Sequence, residues 1–136
     1  MADYFLDTNH ASPLVTIGHS IRSRIHAHLA AGDSFFLTAP VITELVFGFG
    51  LLPRAAQNMR EWVAIRPALR LLPIDEIDAM DAAALQLSLR RRGRQLETVD
   101  ALIATAVLGN ALILLTTDGD FRPVPGLITE NWFAQP

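Results

Sequence analysis

The run Ala111-Leu112-Ile113-Leu114-Leu115 constrains the fold of this chain more than any other feature. It has no alternation of apolar and polar residues, so neither of its faces suits water. A strand of that kind belongs to a parallel sheet covered by helices on both sides. Shorter stretches at Tyr4–Leu6, Ser34–Thr38, Leu69–Leu72 and Gly126–Thr129 read as companion strands. Helical patterns separate them: Ala11–Ile17 before Gly18, and Ser20–Ala31 with Ile21, Ile25 and Leu29 at four-residue spacing before Gly32. Pro40 opens a helix over Val41–Leu51, apolar on nearly every side, and Arg54–Ile65 follows, stopped by Pro67. A long helix over Asp75–Arg92 is expected to turn Ile77, Met80, Ala84 and Leu87 inward. Thr98 is the expected N-cap of Val99–Leu108, which ends at Gly109-Asn110. Strands alternating with helices predict an α/β sandwich with a mostly parallel sheet.

The 136 residues suffice for one core without staples, and no linker, repeat or low-complexity segment divides residues 1–136, which we expect to form one domain. There is no cysteine, so a disulfide framework and a thiolate metal site are both excluded. All eleven basic residues are arginine. Without lysine, a lysine-bearing phosphate loop, a Schiff-base enzyme, a receiver and a lysine-assisted aspartyl-phosphate enzyme are excluded. The net charge of −3 gives no general attraction for nucleic acid, so such a role needs a local site. The N-terminus has an early acid and no basic segment ahead of an apolar one, and no run approaches the ~18 apolar residues of a membrane span. The expectation is a soluble cytoplasmic protein with no membrane partner.

Ligands of open parallel sheets bind beyond the carboxyl ends of the strands. Asp7 directly follows the first strand, and Asp118 follows the Ala111–Leu115 run after two threonines. Asp100 opens the helix that leads into that run. Glu44 lies in the apolar stretch Ala39–Leu52, where Thr43 is the only other polar residue besides glycine and proline. No basic residue lies between Arg24 and Arg54 to pair with it, so it is expected to need a metal or a distant partner. Each acid also has a local use: Asp7 as a cap, Asp100 at a helix start, Asp118 in a turn. Asp75, Glu76, Asp78 and Asp81 read as a solvated helix face. Several carboxylates brought to one edge repel each other unless a hard divalent cation, Mg²⁺ or Mn²⁺, joins them.

These residues carry a family resemblance. Phe5-Leu6-Asp7-Thr8-Asn9, Ile42-Thr43-Glu44-Leu45-Val46-Phe47-Gly48, Arg90-Arg91-Arg92-Gly93-Arg94 with Val99-Asp100-Ala101-Leu102-Ile103-Ala104, Leu115-Thr116-Thr117-Asp118-Gly119-Asp120-Phe121 and Val124–Trp132 occur in this order along nearly the whole chain. The set resembles the PIN-domain nucleases, in particular the VapC-type toxins of bacterial toxin–antitoxin pairs. The resemblance implies a PIN-like three-layer α/β/α sandwich and Mg²⁺- or Mn²⁺-dependent cleavage of RNA by water, leaving a 5′-phosphate and a 3′-hydroxyl. The substrate would be tRNA, rRNA or mRNA. It implies Asp7, Asp100 and Asp118 as metal ligands, with Asp118 favoured over Asp120. Glu44 would bind through water or orient the attacking water, and Thr8, Asn9, Thr116 and Thr117 would support these groups. It further implies a homodimer and a cognate antitoxin; Phe47, Phe49, Leu51 and Leu52 exceed what one buried helix face needs and read either as contacts for these partners or as plain core packing. The alternative is a PIN fold retained for binding with its catalysis lost. Arg90, Arg91, Arg92 and Arg94 read as a solvated helix end, or as guides for RNA phosphates. His10 is close enough to Asp7 to reach the site edge, but no histidine is assigned a metal. Trp62 and Trp132 read as packing residues.

Overall fold

A computed structural model describes residues 1–134. Five strands form one sheet: β1 (Asp3–Leu6), β2 (Ser34–Leu37), β3 (Arg70–Leu71), β4 (Ile113–Leu115) and β5 (Thr129–Glu130). Their order is β3-β2-β1-β4-β5, and every neighbouring pair is parallel. The centre is β1, whose Phe5 pairs with Phe36 on one side and with Leu114 on the other. Tyr4, Phe5 and Leu6 are all buried, as are Leu114 and Leu115, so the two central strands contact protein on both faces.

Parallel neighbours need crossovers, and right-handed crossovers decide where the helices lie. The chain steps from β1 to β2 through α1 (Thr8–Ala11) and α2 (Ser20–Ala30), then to β3 through α3 (Ala39–Leu51) and α4 (Ala55–Ile65). It then returns across the sheet to β4 through α5 (Glu76–Arg91) and α6 (Thr98–Gly109). Steps in opposite directions put these two helix groups on opposite faces, which makes the three-layer α/β/α sandwich. The strand order reverses between β1 and β4, so the chain leaves their carboxyl ends towards opposite faces and opens a crevice there.

Most elements match the expected ones within a few residues, and the departures have local causes. The first helix starts at Thr8, directly after Asp7, and Pro13 converts its continuation into a 3-10 turn over Ser12–Val15. Glu97, not Thr98, holds the cap position of α6, and Thr98 is its first helical residue. Ala111 adopts a left-handed conformation (φ 53°), which delays β4 to Ile113. Gly126 does the same before β5 (φ 76°).

The inward stripe expected for α5 is wrong. Ile77, Met80 and Leu87 are 70, 70 and 55 % exposed, and Ala84 is exposed as well. Ala82 and Leu89 are buried instead, with Leu85 packed beside them. The helix has apolar residues on two faces, and periodicity alone does not say which one meets α6. Its start is fixed locally by a reciprocal cap. Asp75 Oδ1 accepts from the Asp78 N–H at 2.9 Å, and Asp78 Oδ2 accepts from the Asp75 N–H at 3.0 Å. Asp75→Ala should therefore lower stability by about 1 kcal/mol. Urea unfolding checks this: the midpoint should fall while the slope stays constant.

Candidate active site

Asp7 directly follows β1 at the crevice and is 9 % exposed. Its oxygens are held from two elements. Oδ1 accepts from the Thr8 N–H at 2.9 Å, which caps α1. Oδ2 accepts from the Thr116 hydroxyl at 2.7 Å and from the Asn9 amide at 3.3 Å. Thr116 directly follows β4, and its oxygen also accepts from the Asp118 N–H at 3.0 Å. One hydroxyl thus ties the ends of the two central strands together. The main chain reinforces this link, because the Asp7 N–H donates to the Leu115 carbonyl at 3.1 Å.

Asp118 caps the short 3-10 turn Gly119–Phe121 by accepting from the Asp120 N–H at 2.8 Å. The local roles foreseen for Asp7 and Asp118 are thus real, and neither removes the residue from the crevice. Glu44 departs from expectation. It lies on an exposed edge of α3 with Thr43 and Phe47, while Val41, Leu45 and Phe49 face the core. The apolar composition of α3 does not bury Glu44 all round. Its partner is the Thr8 hydroxyl, which donates to Oε2 at 2.6 Å.

Asp100, in the first turn of α6, is half-buried. Its carboxyl is pushed up to about 6, first by burial and then by the charges of Asp7, Asp118, Glu97 and Asp120. Burial also raises Asp7; the bonds from Thr116 and Thr8 oppose that rise, and the charges of Glu44 and Asp118 add to it. Asp7, Glu44, Asp100 and Asp118 therefore share one electrostatic neighbourhood, although they come from four separate stretches of chain. Among the described residues none of them is neutralised by a cation. The two ion pairs there, Arg22–Glu61 and His28–Asp33, involve other side chains.

No group of three or more His, Asp or Glu side chains among the described residues is close enough to grip an ion. The donor set nevertheless fits a hard cation: oxygen ligands only, excess negative charge, and neutral hydroxyls and amides that hold the carboxylates in place.

Of three further contributors, the sequence analysis missed Glu97 and saw His10 and Trp132 without their link to each other. Glu97 stands one helical turn before Asp100 and adds its charge to that residue; the three-residue spacing was a visible signal. His10 reaches the site edge only through Asn9, and it is fully buried. Its Nε2 accepts from the Trp132 N–H at 3.0 Å, so Nδ1 carries the proton and donates to Asn9 Oδ1 at 2.6 Å. That oxygen also accepts from the Thr117 N–H at 3.2 Å, which leaves the Asn9 NH₂ turned towards Asp7. The last is Trp132. Its ring packs on His28 and under Arg24, as a packing residue should, and its main-chain N–H orients His10, while the indole N–H donates to Glu130 Oε1 at 3.0 Å.

Comparison with known proteins places this geometry. The family model for the PIN domain matches residues 4–127. The chain is similar to Ribonuclease VapC2 of Rickettsia felis, 25 % identical over 105 residues that cover 76 % of this chain and 78 % of the relative. Its fold matches that of VapBC2 from Rickettsia felis, solved bound to a DNA fragment from their promoter. The TM-score is 0.79 at 21 % identity, over 95 % of this chain and 98 % of that one. DNA-bound VapBC from Salmonella typhimurium gives the same TM-score at 22 % identity, over 97 % of this chain and 99 % of that one.

Proposed function

The chain belongs to the PIN-domain family, and on that premise we propose that it is a Mg²⁺-dependent endoribonuclease, the toxin component of a toxin–antitoxin pair. The observation that carries this reading is the un-neutralised set of carboxylates at the reversal point of the sheet. The charges of Glu44 and Asp118 raise Asp7, those of Asp7 and Asp118 raise Asp100, and none of the four has a cationic side chain as ion-pair partner among the described residues.

In this reading Asp7, Asp100 and Asp118 hold Mg²⁺, or Mn²⁺ in its place, and Glu44 orients the attacking water. The bound cation would lower the pKa of water and offset the charge that develops on the phosphodiester. The protein's own part is positioning. Thr116 and the Thr8 N–H fix the two oxygens of Asp7, and the Thr8 hydroxyl fixes Glu44. Asp118 suits the ligand role better than Asp120, because its charge acts on both Asp7 and Asp100 whereas that of Asp120 acts on Asp100 alone. The substrate is RNA, whether tRNA, rRNA or mRNA.

A cognate antitoxin and a second copy of the chain complete the proposal. The VapBC assemblies of the solved relatives support the antitoxin. Phe47, Leu51 and Leu52 are 68, 71 and 50 % exposed and remain candidate contacts, whereas Phe49 is buried and packs on Trp62. No helix among the described residues is long and apolar enough to cross a membrane.

The test is to purify the protein free of any partner and incubate it with total RNA. Discrete cleavage with Mg²⁺, abolished by EDTA and restored by Mg²⁺ or Mn²⁺, is expected. Cleavage that persists in EDTA would remove the metal from the mechanism. Cation binding without any cleavage would favour a PIN fold kept for binding alone.

A further inference from the structure

Two cavities meet at Gly119 and differ in charge. The smaller, about 120 Å³, is lined by Thr116, Thr117, Asp118 and Arg122 on the carboxylate side. The larger, about 510 Å³, opens between the end of α5 and the turn after Asp118. Arg90, Arg94, Gln95 and Asp120 line it, with Gly93 and Pro123. Arg90 and Arg94 line the larger cavity, Arg122 lines the smaller, and Arg92 bonds to Pro123 in the lining of the larger one. None of them takes part in an ion pair among the described residues.

The helix dipole explains basic residues in the last turn of α5. It does not explain Arg94 beyond the helix, Arg122 on a different element, or a cavity between them. Arg92 Nη2 donates to the Pro123 carbonyl at 3.5 Å and joins the helix end to the turn. The ridge between the two cavities is Gly119, where an added Cβ would meet only the Arg122 guanidinium, at 3.5 Å. The chain as a whole is negative, so a polyanion needs a local positive surface beside the carboxylates.

We propose that the larger cavity is a subsite for a phosphate of single-stranded RNA adjacent to the bond that is cut. The strand then runs from the carboxylates over Gly119 to Arg90 and Arg94. Guanidinium forks match phosphate oxygens two at a time and also stack on unpaired bases, which favours a single strand over a duplex. This subsite rests on the nuclease reading and adds to it the part of the substrate that is gripped.

The test uses a fluorescein-labelled ten-nucleotide single-stranded RNA. Its binding is followed by anisotropy in EDTA over 50–300 mM KCl, alongside Mg²⁺-dependent cleavage. Arg90→Ala/Arg94→Ala should weaken binding about tenfold and flatten the plot of log K against log salt by about 0.7, the share of one neutralised phosphate on a single strand. KM should rise with kcat little changed and the melting temperature unaltered. Arg90→Lys/Arg94→Lys should restore most of the slope, because it keeps the charge. Arg60→Ala/Arg70→Ala, exposed arginines on α4 and β3, should leave both quantities near those of the unaltered protein. If Arg90→Ala/Arg94→Ala binds with the original affinity and slope while the unaltered protein binds and cleaves, the subsite is wrong and the nuclease reading stands. If the unaltered protein neither binds nor cleaves RNA, the nuclease reading fails and the subsite fails with it.

Discussion

Asp100→Asn is expected to reduce RNA cleavage by at least about 10²-fold, a loss that removal of a single oriented active-site group can produce, and to raise the melting temperature of the metal-free protein at neutral pH. Both effects have one origin. The Asp100 carboxyl is pushed up to about 6, by burial first and by four neighbouring acids after that. A folded-state value above the unfolded one, 3.8 for this residue, means that the native protein holds the proton more tightly. The resulting stabilisation is complete below pH 3.8 and is lost as pH rises through about 6. At pH 7 the ionised group therefore opposes folding unless a cation is bound, and asparagine removes that opposition with little change of shape. The gain in melting temperature over the unaltered protein should be near zero at pH 4, grow through pH 6 and then level off. Mg²⁺ should reverse the ranking. A cation at a hundred times its Kd stabilises the protein that binds it by about 2.7 kcal/mol, and the variant has lost a ligand. Unchanged cleavage by Asp100→Asn would sink the assignment, and a less stable metal-free variant would sink the electrostatic account of the site.

His10→Ala should be the most damaging single change away from the carboxylates, about 3–4 kcal/mol. Part of this is the Trp132 N–H, left buried without its acceptor at a cost of about 1–3 kcal/mol. The remainder is the hole left by a fully buried ring. For a chain of this length the melting temperature should fall by roughly 10 °C. His10→Phe fills the hole but still orphans the N–H, so it should cost less than alanine and more than nothing. The pH dependence runs opposite to that of Asp100. Burial, helped by the charge of Arg24, lowers His10 to about 4, against 6.5 for the unfolded chain. The unfolded chain then takes up the proton first, and stability is lost as pH falls from 6.5 towards 4. The gap between His10→Ala and the unaltered protein should narrow over that window. Thermal melts between pH 4 and pH 8 read both variants. A His10→Ala protein as stable as the original would show that the Trp132–His10–Asn9 chain of hydrogen bonds holds nothing together.

The two shifts nearly oppose each other. Asp100 tilts the stability curve down with rising pH and His10 tilts it up, over almost the same range. The two variants separate these opposing contributions.

Much of the fold was legible because strand and helix patterns are local. The apolar run at Ala111–Leu115, the four-residue spacing of Ile21 and Ile25, and Pro40 in a first helical turn each point to one element. Asp7, Asp100 and Asp118 were legible as candidates for the same reason, since each adjoins the end of a strand or the start of a helix. Glu44 was singled out on a false premise. An apolar helix suggested a buried charge, whereas the structure puts Glu44 on the open edge with Thr8 as its donor. His10 shows the opposite failure: its neighbour Asp7 was visible, but Trp132, 122 residues away, was not.

The order of residues by itself determined a parallel α/β sheet and marked acids at its strand ends, because side-chain alternation and helix punctuation act over a few residues. Only the tertiary structure decided that α5 buries Ala82 and Leu89 and exposes Ile77 and Met80. It likewise decided that Thr116 fastens Asp7 to Asp118, and that Arg90 and Arg94 line a cavity with Gly119 and Asp120 of the turn after β4. The reason is physical. Which face of a helix meets the core, and which donor meets a given oxygen, is set by neighbours distant in sequence, and no local pattern records them.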